Sequence, residues 1–235
     1  MFKWEPRKGV DVLLTAFLRA FNESDDVQLF LQTYSYDDAA SMQRDHGHLE
    51  RKLNETLNVI VSNDESLRAK RDGLYSKIEV MTRERTMDQM ASLYKTADCL
   101  VSPSHGEGFG LPVLESMAVG TPVMVTKWSG LRDLVINESY GYLVEIDGKE
   151  FARNSPGKSD FAEDRMKWAS IDTDSLVENM RAVYGDRKEA KQRGKMGQKY
   201  VTTHFHPKVV ADKIERRMKE LIYRKSQRLL VDDET

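Results

Sequence analysis

The sequence predicts an α/β fold built on a parallel sheet, and three features carry this prediction. Short apolar runs alternate with amphipathic segments up to Glu145, which is the pattern of parallel strands joined by helices. A glycine-rich loop follows one of these apolar runs and directly precedes a helical pattern. After Glu145 the pattern changes to a loop and then to helical segments only. We therefore expect one sheet domain that ends in a helical tail.

Five apolar runs are predicted to be strands, because they are short, apolar and bounded by polar or turn-forming residues. These runs are Val27–Thr33, Lys77–Met81, Asp98–Ser102, Pro122–Thr126 and Gly141–Val144.

Helical periodicity predicts four helices within the sheet domain and three in the tail. The first four are Gly9–Phe21, Asp38–Leu57, Asp88–Thr96 and Leu111–Val119. The run Ser35–Asn58 is polar and charged, so we expect a solvated helix there. We interpret Asp147–Asp160 as a loop, and the tail helices as Thr173–Tyr184, Lys188–Thr203 and Pro207–Leu230.

The amino end is unusual for a parallel sheet. MFKWEPRKG leaves barely two strand residues ahead of the first helix. A first helix without a full preceding strand indicates a chain that begins late. We expect either a fragment or a second chain that supplies the missing part.

Composition excludes several classes of function. Charged residues make up 31% of the chain but their signs nearly cancel, giving a formal net charge of −2, so nucleic acid is not an expected partner. Cys99 is the single cysteine and lies in an apolar run, which indicates a buried thiol in a reducing compartment. The sequence shows neither a signal-peptide pattern nor an apolar run near the roughly 18 residues of a membrane span. We expect a soluble, cytoplasmic protein.

The segment SPSHGEGFGLPVLESMAVGTPVMVT, Ser102–Thr126, indicates a phosphate-binding loop. Its glycines, Gly106, Gly108 and Gly110, lie between the end of a predicted strand and a helix that begins near Pro112. Backbone N–H groups and the helix dipole attract anions at such a position. The spacing GEGFG matches neither the dinucleotide fingerprint G-x-G-x-x-G nor a Walker motif, so those two sites are excluded.

Two carboxylates accompany this loop, and they leave two interpretations open. Glu107 precedes the helix and Glu115 lies about one turn inside it. Ionised carboxylates only accept hydrogen bonds, so near a phosphate they would bind hydroxyl groups, as on the ribose and hexose of a nucleotide-sugar. Alternatively, Glu115 complements the helix dipole and Glu107 is a solvated loop acid.

A second acidic motif, Asp172-Thr173-Asp174, has the D-x-D form of a metal site. Such a motif presents both acids to a metal only at a strand end, whereas a helical pattern follows here. We therefore predict a helix N-cap and no metal site.

The segment EGFGLPVLE closely resembles the E-x7-E motif of retaining glycosyltransferases with the GT-B fold, the large group 1 or family 4 type. RKGVDVLLTAF resembles the start of that family's donor-binding domain, MASLYKTADCLVSPS its approach to the loop, and SMAVGTPVMVTKWSG the segment after it. The ending HFHPKVVADKI also follows the family. The resemblance implies a Rossmann-like parallel sheet with flanking helices, the C-terminal half of a GT-B fold.

The resemblance also implies roles for individual residues. Glu107 and Lys8 would be catalytic, with Glu107 on the sugar hydroxyls and Lys8 on the leaving diphosphate, while Glu115 would hold the ribose. Lys3 stands where the family has a second cation, an arginine. Arg7 could substitute for it, but we expect Arg7 to face away from its neighbour Lys8. The remaining donor-binding positions would be His105, Gly106, Gly108, Phe109, Gly110 and Leu111, and the base would lie near Met81, Thr82 and Arg83. SGLRD departs from the family's G-G-x-x-E, which leaves Asp133 without a clear role.

Together these expectations describe a nucleotide-sugar-binding domain at residues 1–170 and a helical segment at residues 171–235 that packs on it. The donor would be a UDP- or GDP-sugar, and no divalent metal would be required. We expect the N-terminal acceptor domain of the family to be absent from this chain, so the final helix, which in the family packs on that domain, should expose an apolar face. The alternative is a stand-alone nucleotide-sugar-binding module, or one subunit of a two-chain enzyme.

Overall fold

The computed structural model of the protein describes residues 2–38, 41–43, 45–152 and 167–232. The strands are β1 (Phe2–Lys3), β2 (Leu29–Asp38), β3 (Ser41–Gln43), β4 (Ile78–Met81), β5 (Leu100–Ser102), β6 (Val123–Thr126), β7 (Tyr142–Val144), β8 (Ile146–Phe151) and β9 (Lys167–Ile171). The helices are α1 (Val10–Ala20), α2 (His46–Asn63), α3 (Arg68–Leu74), α4 (Met87–Thr96), α5 (Leu111–Ala118), α6 (Ser129–Leu134), α7 (Thr173–Gly185), α8 (Arg187–His204) and α9 (Pro207–Asp232).

The α/β architecture with parallel pairing is confirmed, but the parallel strands fall into two sheets. In the first sheet β2 pairs in parallel with β1 and with β4, and β3 returns antiparallel to β2. In the second sheet β5, β6 and β7 follow one another in parallel. The two sheets are separate because β1 is short: only Phe2 and Lys3 pair with β2.

The expected loop at Asp147–Asp160 is wrong for its first part. Residues from Ile146 to Phe151 form β8, which pairs antiparallel with β9. Its side chains alternate between half-buried and exposed, the period of a strand at the surface. The tail is therefore not purely helical, and the expected boundary at residue 170 falls inside β9. Residues 153–166 lie outside the described part of the chain.

The helix expected at Asp38–Leu57 is shifted and is not simply solvated. It begins at His46, because the side chain of Asp45 accepts a hydrogen bond from the backbone N–H of His48 and caps it. The residues ahead of it belong to β2 and β3. Leu49, Leu53 and Leu57, at intervals of four, are fully buried, so one face of α2 packs into the core.

The long final helix exposes an apolar stripe, as the sequence predicts. Ile214 is 55% exposed and Leu221 is 50% exposed, and their neighbours Met218 and Ile222 are similarly open. Within the described chain, no helix is both long and apolar enough to cross a membrane.

A close approach between Gly9 and Pro103 brings the amino-terminal turn against the loop that follows β5. Gly9 has a left-handed φ of 65°, and a Cβ on it would lie 2.0 Å from the carbonyl oxygen of Pro103. Only glycine fits this position. The turn at Pro6–Lys8 can therefore lie directly against the loop that follows β5.

Candidate functional site

The candidate site lies where the turn Pro6–Lys8 meets the loop after β5. The backbone N–H of His105 donates to the carbonyl oxygen of Arg7 at 2.9 Å, and the Ser104 hydroxyl donates to the same oxygen at 3.0 Å. These bonds join two segments that are nearly a hundred positions apart. They bring the cations of the turn to the glycine loop.

Two cations converge on Glu107. The ammonium group of Lys8 donates a hydrogen bond to Glu107 Oε2, and Arg7 Nη1 lies 3.5 Å from the same oxygen. Arg7 Nη1 also donates to the carbonyl oxygen of Gly106 at 2.6 Å. The expectation that Arg7 faces away from Lys8 is wrong, because a three-residue 3₁₀ turn does not alternate its side chains as a strand does.

Lys3 lies at the edge of this cluster. Its ammonium group is 3.0 Å from Glu5, whose other oxygen accepts a hydrogen bond from Arg7 at 2.8 Å. Burial by itself raises the pKa of Glu5, but the hydrogen bond from Lys3 and the charge of Arg7 outweigh burial, so the pKa lies below its ordinary value of 4.5. Glu5 therefore holds both cations in a fixed arrangement beside the loop.

The backbone of the loop is open on one side. A Cβ placed on Gly106 or on Gly108 would have nothing within 4 Å, so both positions face free space. The N–H of Gly108 donates to Glu107 Oε1 at 3.2 Å. Phe109 is 42% exposed and Leu111 is 59% exposed, while Gly110 precedes α5 and forms its N-cap.

A second turn, which follows β6, is hydrogen-bonded to the glycine loop. The N–H of Glu107 donates to the hydroxyl oxygen of Ser129 at 2.9 Å, and Gly130 N–H donates to the carbonyl oxygen of Glu107 at 3.0 Å. A Cβ on Gly130 would lie 2.2 Å from the carbonyl oxygen of Gly108. Ser129 has a φ of 52°, which is uncommon for a residue other than glycine. In the sequence, the segment KWSG signals this turn but does not indicate its contacts with the loop.

Glu115 has a partner that sequence reasoning did not identify. The phenol of Tyr94 donates a hydrogen bond to Glu115 Oε2 at 2.9 Å. Tyr94 is 4% exposed, and its burial, together with the hydrogen bond to Glu115, raises the pKa of the phenol. The Tyr94 proton therefore stays in place and fixes one oxygen of the carboxylate, while Glu115 itself is exposed. Tyr94 belongs to the LYKTAD segment, where it was not given a role.

His105 is placed differently from the other loop residues. It is 1% exposed, its Nδ1 lies 2.7 Å from the carbonyl oxygen of Ala169, and its ring stacks on Trp168 at a centroid distance of 4.6 Å. Nδ1 must carry the proton in order to donate to a carbonyl oxygen. The ring therefore anchors the loop to β9.

Met81 is the last residue of β4, and Thr82 and Arg83 follow it at the carboxyl end of that strand. The carbonyl oxygen of Arg83 accepts a hydrogen bond from the Gln32 amide at 3.0 Å, and Arg85 donates to the same Gln32 side chain. This region is thus held to β2, and Arg83 is exposed.

The D-x-D motif is a helix cap, as predicted. Asp172 accepts hydrogen bonds from the backbone N–H groups of Asp174 and Ser175 at 2.9 and 3.0 Å, and α7 begins at Thr173. In the described part of the chain, no group of three or more His, Cys, Asp or Glu side chains is arranged to hold a metal ion.

Comparison with known proteins gives one family match and a consistent set of structural neighbours. A family model described as glycosyl transferases group 1 matches residues 1–155. An uncharacterised glycosyltransferase of Methanocaldococcus jannaschii, MJ1178, is 30% identical over 140 residues, which is 60% of this chain and 31% of that protein. The chain spans less than a third of the length of the curated relatives it matches.

Solved structures of other proteins share the fold. The C-terminal domain of LpcC, a glycosyl transferase group 1 family protein of Francisella tularensis, superimposes with a TM-score of 0.59 at 20% identity, covering 86% of this chain and 82% of that one. Anabaena HepE, in complex with UDP and glucose, superimposes with a TM-score of 0.63 at 17% identity, covering 94% of this chain and 47% of that one.

Proposed function

Because this chain belongs to the glycosyl transferases group 1 family, we propose that it is the donor-binding domain of a retaining glycosyltransferase. In this proposal the complete enzyme transfers a hexosyl group from a UDP- or GDP-sugar to an acceptor. The donor binds at the glycine loop, with its diphosphate between the loop and the turn Pro6–Lys8.

The observation that carries the proposal is the convergence of Lys8 and Arg7 beside the open backbone of Gly106 and Gly108. A diphosphate needs fixed positive charge and hydrogen-bond donors, and this place offers both at the amino end of α5. The open space over the glycines allows a phosphate to approach the backbone.

The same arrangement suits the departure of a diphosphate. When the bond between the sugar C1 and the phosphate oxygen breaks, the electron pair moves to the diphosphate and C1 becomes oxocarbenium-like. Lys8 then neutralises charge that grows on the leaving oxygen, which is the larger part of catalysis when charge develops at a fixed point. The acceptor oxygen bonds to C1 on the face that the diphosphate leaves, and its proton passes to the departing phosphate oxygen, so configuration is retained.

The two acids hold the two sugars in this proposal. Glu107 accepts hydrogen bonds from hydroxyl groups of the hexose, and Glu115 accepts them from the ribose, with Tyr94 fixing its orientation. The segment Met81–Arg83, in which Arg83 is exposed, lies beside the base. His105, which is buried against Ala169, positions the loop rather than touching the donor.

We propose further that donor binding requires no divalent metal, because Lys8, Arg7 and the loop N–H groups offset the phosphate charge. Removal of metal by EDTA should then leave donor affinity unchanged. Restoration of lost binding by Mg²⁺ or Mn²⁺ would contradict this part of the proposal.

A second candidate is one subunit of a two-chain enzyme, or a binding module. The exposed apolar stripe of α9, which includes Ile214 and Leu221, favours a partner surface for this helix. The acceptor site would then belong to that partner. Both candidates require the same donor site.

Saturation-transfer NMR with a panel of UDP- and GDP-sugars tests the proposed function. Signals from both the ribose and the hexose of at least one donor are expected, and Lys8→Ala should weaken them. Absence of binding by every nucleotide-sugar at millimolar concentration would contradict a donor-binding domain of either kind.

A further inference from the structure

Ser129, the first residue of α6, has a backbone conformation that is unfavourable for a residue with a side chain. Its φ is 52°, and among the described residues it alone combines a positive φ with a residue type other than glycine. In this left-handed region the Cβ crowds the following carbonyl oxygen, so the conformation is strained for serine and unstrained for glycine. Strain of this kind persists only where the surrounding structure favours it, and it is concentrated at functional sites.

The turn at Ser129 brings the next residue, Gly130, directly against the glycine loop. The N–H of Gly130 donates to the carbonyl oxygen of Glu107 at 3.0 Å, and a Cβ on Gly130 would lie 2.2 Å from the carbonyl oxygen of Gly108. The two backbones therefore approach as closely as glycine allows. A glycine at position 129 would make the same turn without strain, so the turn alone does not explain a serine there.

What serine adds at this position is a hydroxyl oxygen. This oxygen accepts a hydrogen bond from the backbone N–H of Glu107 at 2.9 Å. Together with the bond from Gly130, it ties both the N–H and the C=O of Glu107 to two consecutive residues of one turn. The side chain of Ser129 is exposed, so burial of apolar surface does not account for it either.

Glu107 needs this hold because of its neighbours in the chain. It lies between Gly106 and Gly108, and glycine gives the backbone on each side a wide choice of conformations. A Cβ on either glycine would meet nothing within 4 Å, so no packing beside them restricts the chain there. The direction in which the Glu107 side chain leaves the loop therefore depends on the hydrogen bonds of its own backbone.

We infer that Ser129 is a positioning residue for the carboxylate of Glu107. Its hydroxyl oxygen holds the Glu107 N–H, and the strained serine is kept because glycine cannot supply that oxygen. The inference rests on the proposed function, in which Glu107 accepts hydrogen bonds from the hexose of the donor. Ser129 acts through Glu107 and does not itself touch the donor.

Three substitutions at Ser129 separate the hydroxyl from the backbone strain. Ser129→Ala removes the hydroxyl and keeps the strain, whereas Ser129→Gly removes both. Ser129→Thr keeps the hydroxyl and adds strain, because a β-branched residue is least tolerant of a positive φ. Tm should therefore be about 2–4 °C higher for Ser129→Gly than for Ser129→Ala, and it should be lower for Ser129→Thr than for the parent chain.

Donor affinity should follow the hydroxyl and not Tm. Calorimetry would use UDP-glucose and GDP-mannose, each beside its bare nucleoside diphosphate. Ser129→Ala and Ser129→Gly should both weaken the sugar-bearing donor by roughly three- to tenfold, the scale of one neutral hydrogen bond, and leave the bare diphosphate within about twofold. Ser129→Thr should retain the parent affinity for both ligands. Ser139→Ala is the control, because the Ser139 hydroxyl also donates a hydrogen bond, to Asn137 at 2.9 Å, but neither residue belongs to the glycine loop.

A double substitution tests whether Ser129 acts through Glu107. In the Glu107→Gln background, the further change Ser129→Ala should cause no additional loss of affinity for the sugar-bearing donor. Two substitutions that remove the same interaction are not additive, whereas independent ones add. Additive losses would show that the Ser129 hydroxyl acts elsewhere.

Two other results would overturn the inference and leave the proposed function intact. One is parent affinity for the sugar-bearing donor in Ser129→Ala. The other is an affinity that follows Tm across the three variants, with Ser129→Gly restored and Ser129→Thr impaired, which would show that the residue acts only on the fold. Failure of the parent chain to bind either sugar-bearing donor would also overturn the inference, and failure to bind the bare diphosphates as well would contradict the proposed function too.

Discussion

The ammonium group of Lys8 donates a hydrogen bond to the carboxylate of Glu107, although 99 positions separate the two residues. The second carboxylate oxygen of Glu107 accepts from the N–H of Gly108 at 3.2 Å. Glu107 thus occupies hydrogen-bond donors that the proposed function assigns to the diphosphate. In the proposed donor complex, Lys8 and Gly108 move from the carboxylate to the diphosphate, and the carboxylate becomes available to sugar hydroxyls.

Replacing Lys8 by Ala should weaken binding of UDP or GDP by about 1.5–3 kcal/mol, the usual contribution of a hydrogen bond to a charged group. Calorimetry measures the loss. Lys219→Ala is a matched control, because Lys219 also pairs with a carboxylate, Glu215 at 2.6 Å, but lies on α9. Equal affinities for Lys8→Ala and the parent chain would remove Lys8 from the phosphate site.

Replacing Gly108 by Ala should leave Tm unchanged and weaken nucleotide binding at least tenfold, because the added methyl meets no protein atom within 4 Å and would occupy the space of the ligand. Gly185→Ala is the control, since its added methyl also meets nothing within 4 Å. Gly130→Ala should instead lower Tm, because its methyl would press on the Gly108 carbonyl. Unchanged nucleotide affinity in Gly108→Ala would place the phosphate elsewhere.

Replacing Tyr94 by Phe should weaken binding of UDP by about 0.5–1.5 kcal/mol, because it removes the hydrogen bond that orients Glu115. Binding of 2′,3′-dideoxy-UDP, which lacks the ribose hydroxyls, should not change. Tyr75→Phe serves as the control. The Tyr75 hydroxyl also donates to a carboxylate, that of Glu50 at a distance of 3.3 Å, but this pair does not belong to the glycine loop. An equal loss for UDP and its dideoxy analogue would show that Tyr94 acts only on the fold.

The pKa of Glu5 predicts one component of acid sensitivity. A carboxyl whose pKa is lowered by folding stabilises the protein above its unfolded pKa, and this contribution is lost as the pH falls through the lower folded pKa. Below pH 4.5, the ordinary value for this carboxyl, Tm should therefore fall more steeply in the parent chain than in Glu5→Gln. Parallel Tm curves for the two proteins from pH 6 to pH 3 would exclude this contribution.

The sequence predicted the local backbone of the candidate site. The loop around Gly108 and the start of α5 at Leu111 follow from signals between neighbouring residues, namely a strand, glycines and a proline at the second helical position. The position of Arg7 against Gly106 could not be predicted, because it depends on a close approach across 99 positions. The contact of Tyr94 with Glu115 could not be predicted for the same reason, because it joins two helices that only the tertiary fold brings together.

The sequence pattern misled the prediction at β8, which was expected to be a loop, and at α2, whose bounds and burial were wrong. The strand β8 carries Gly148 and alternates exposed side chains, so its composition resembles that of a loop. In α2 the charged residues outnumber Leu49, Leu53 and Leu57, and the buried stripe shows only in their four-residue spacing. In both elements, the polar residues at the surface obscure the sequence pattern of the residues that pack.

In the proposed donor complex Glu107 binds the hexose and Glu115 binds the ribose, and one pair of titrations tests this assignment most directly. Calorimetry would measure the bare nucleoside diphosphate and the nucleotide-sugar with Glu107→Gln and with Glu115→Gln. Glutamine keeps the size of the side chain but removes the charge and its purely accepting character.

Glu115→Gln should weaken both ligands, whereas Glu107→Gln should weaken only the nucleotide-sugar, each by about 1.5–3 kcal/mol. The bare diphosphate should lose no affinity in Glu107→Gln, because Lys8 is then released from its carboxylate partner. Identical behaviour of the two variants toward the two ligands would contradict the account and leave the loop as a plain phosphate site.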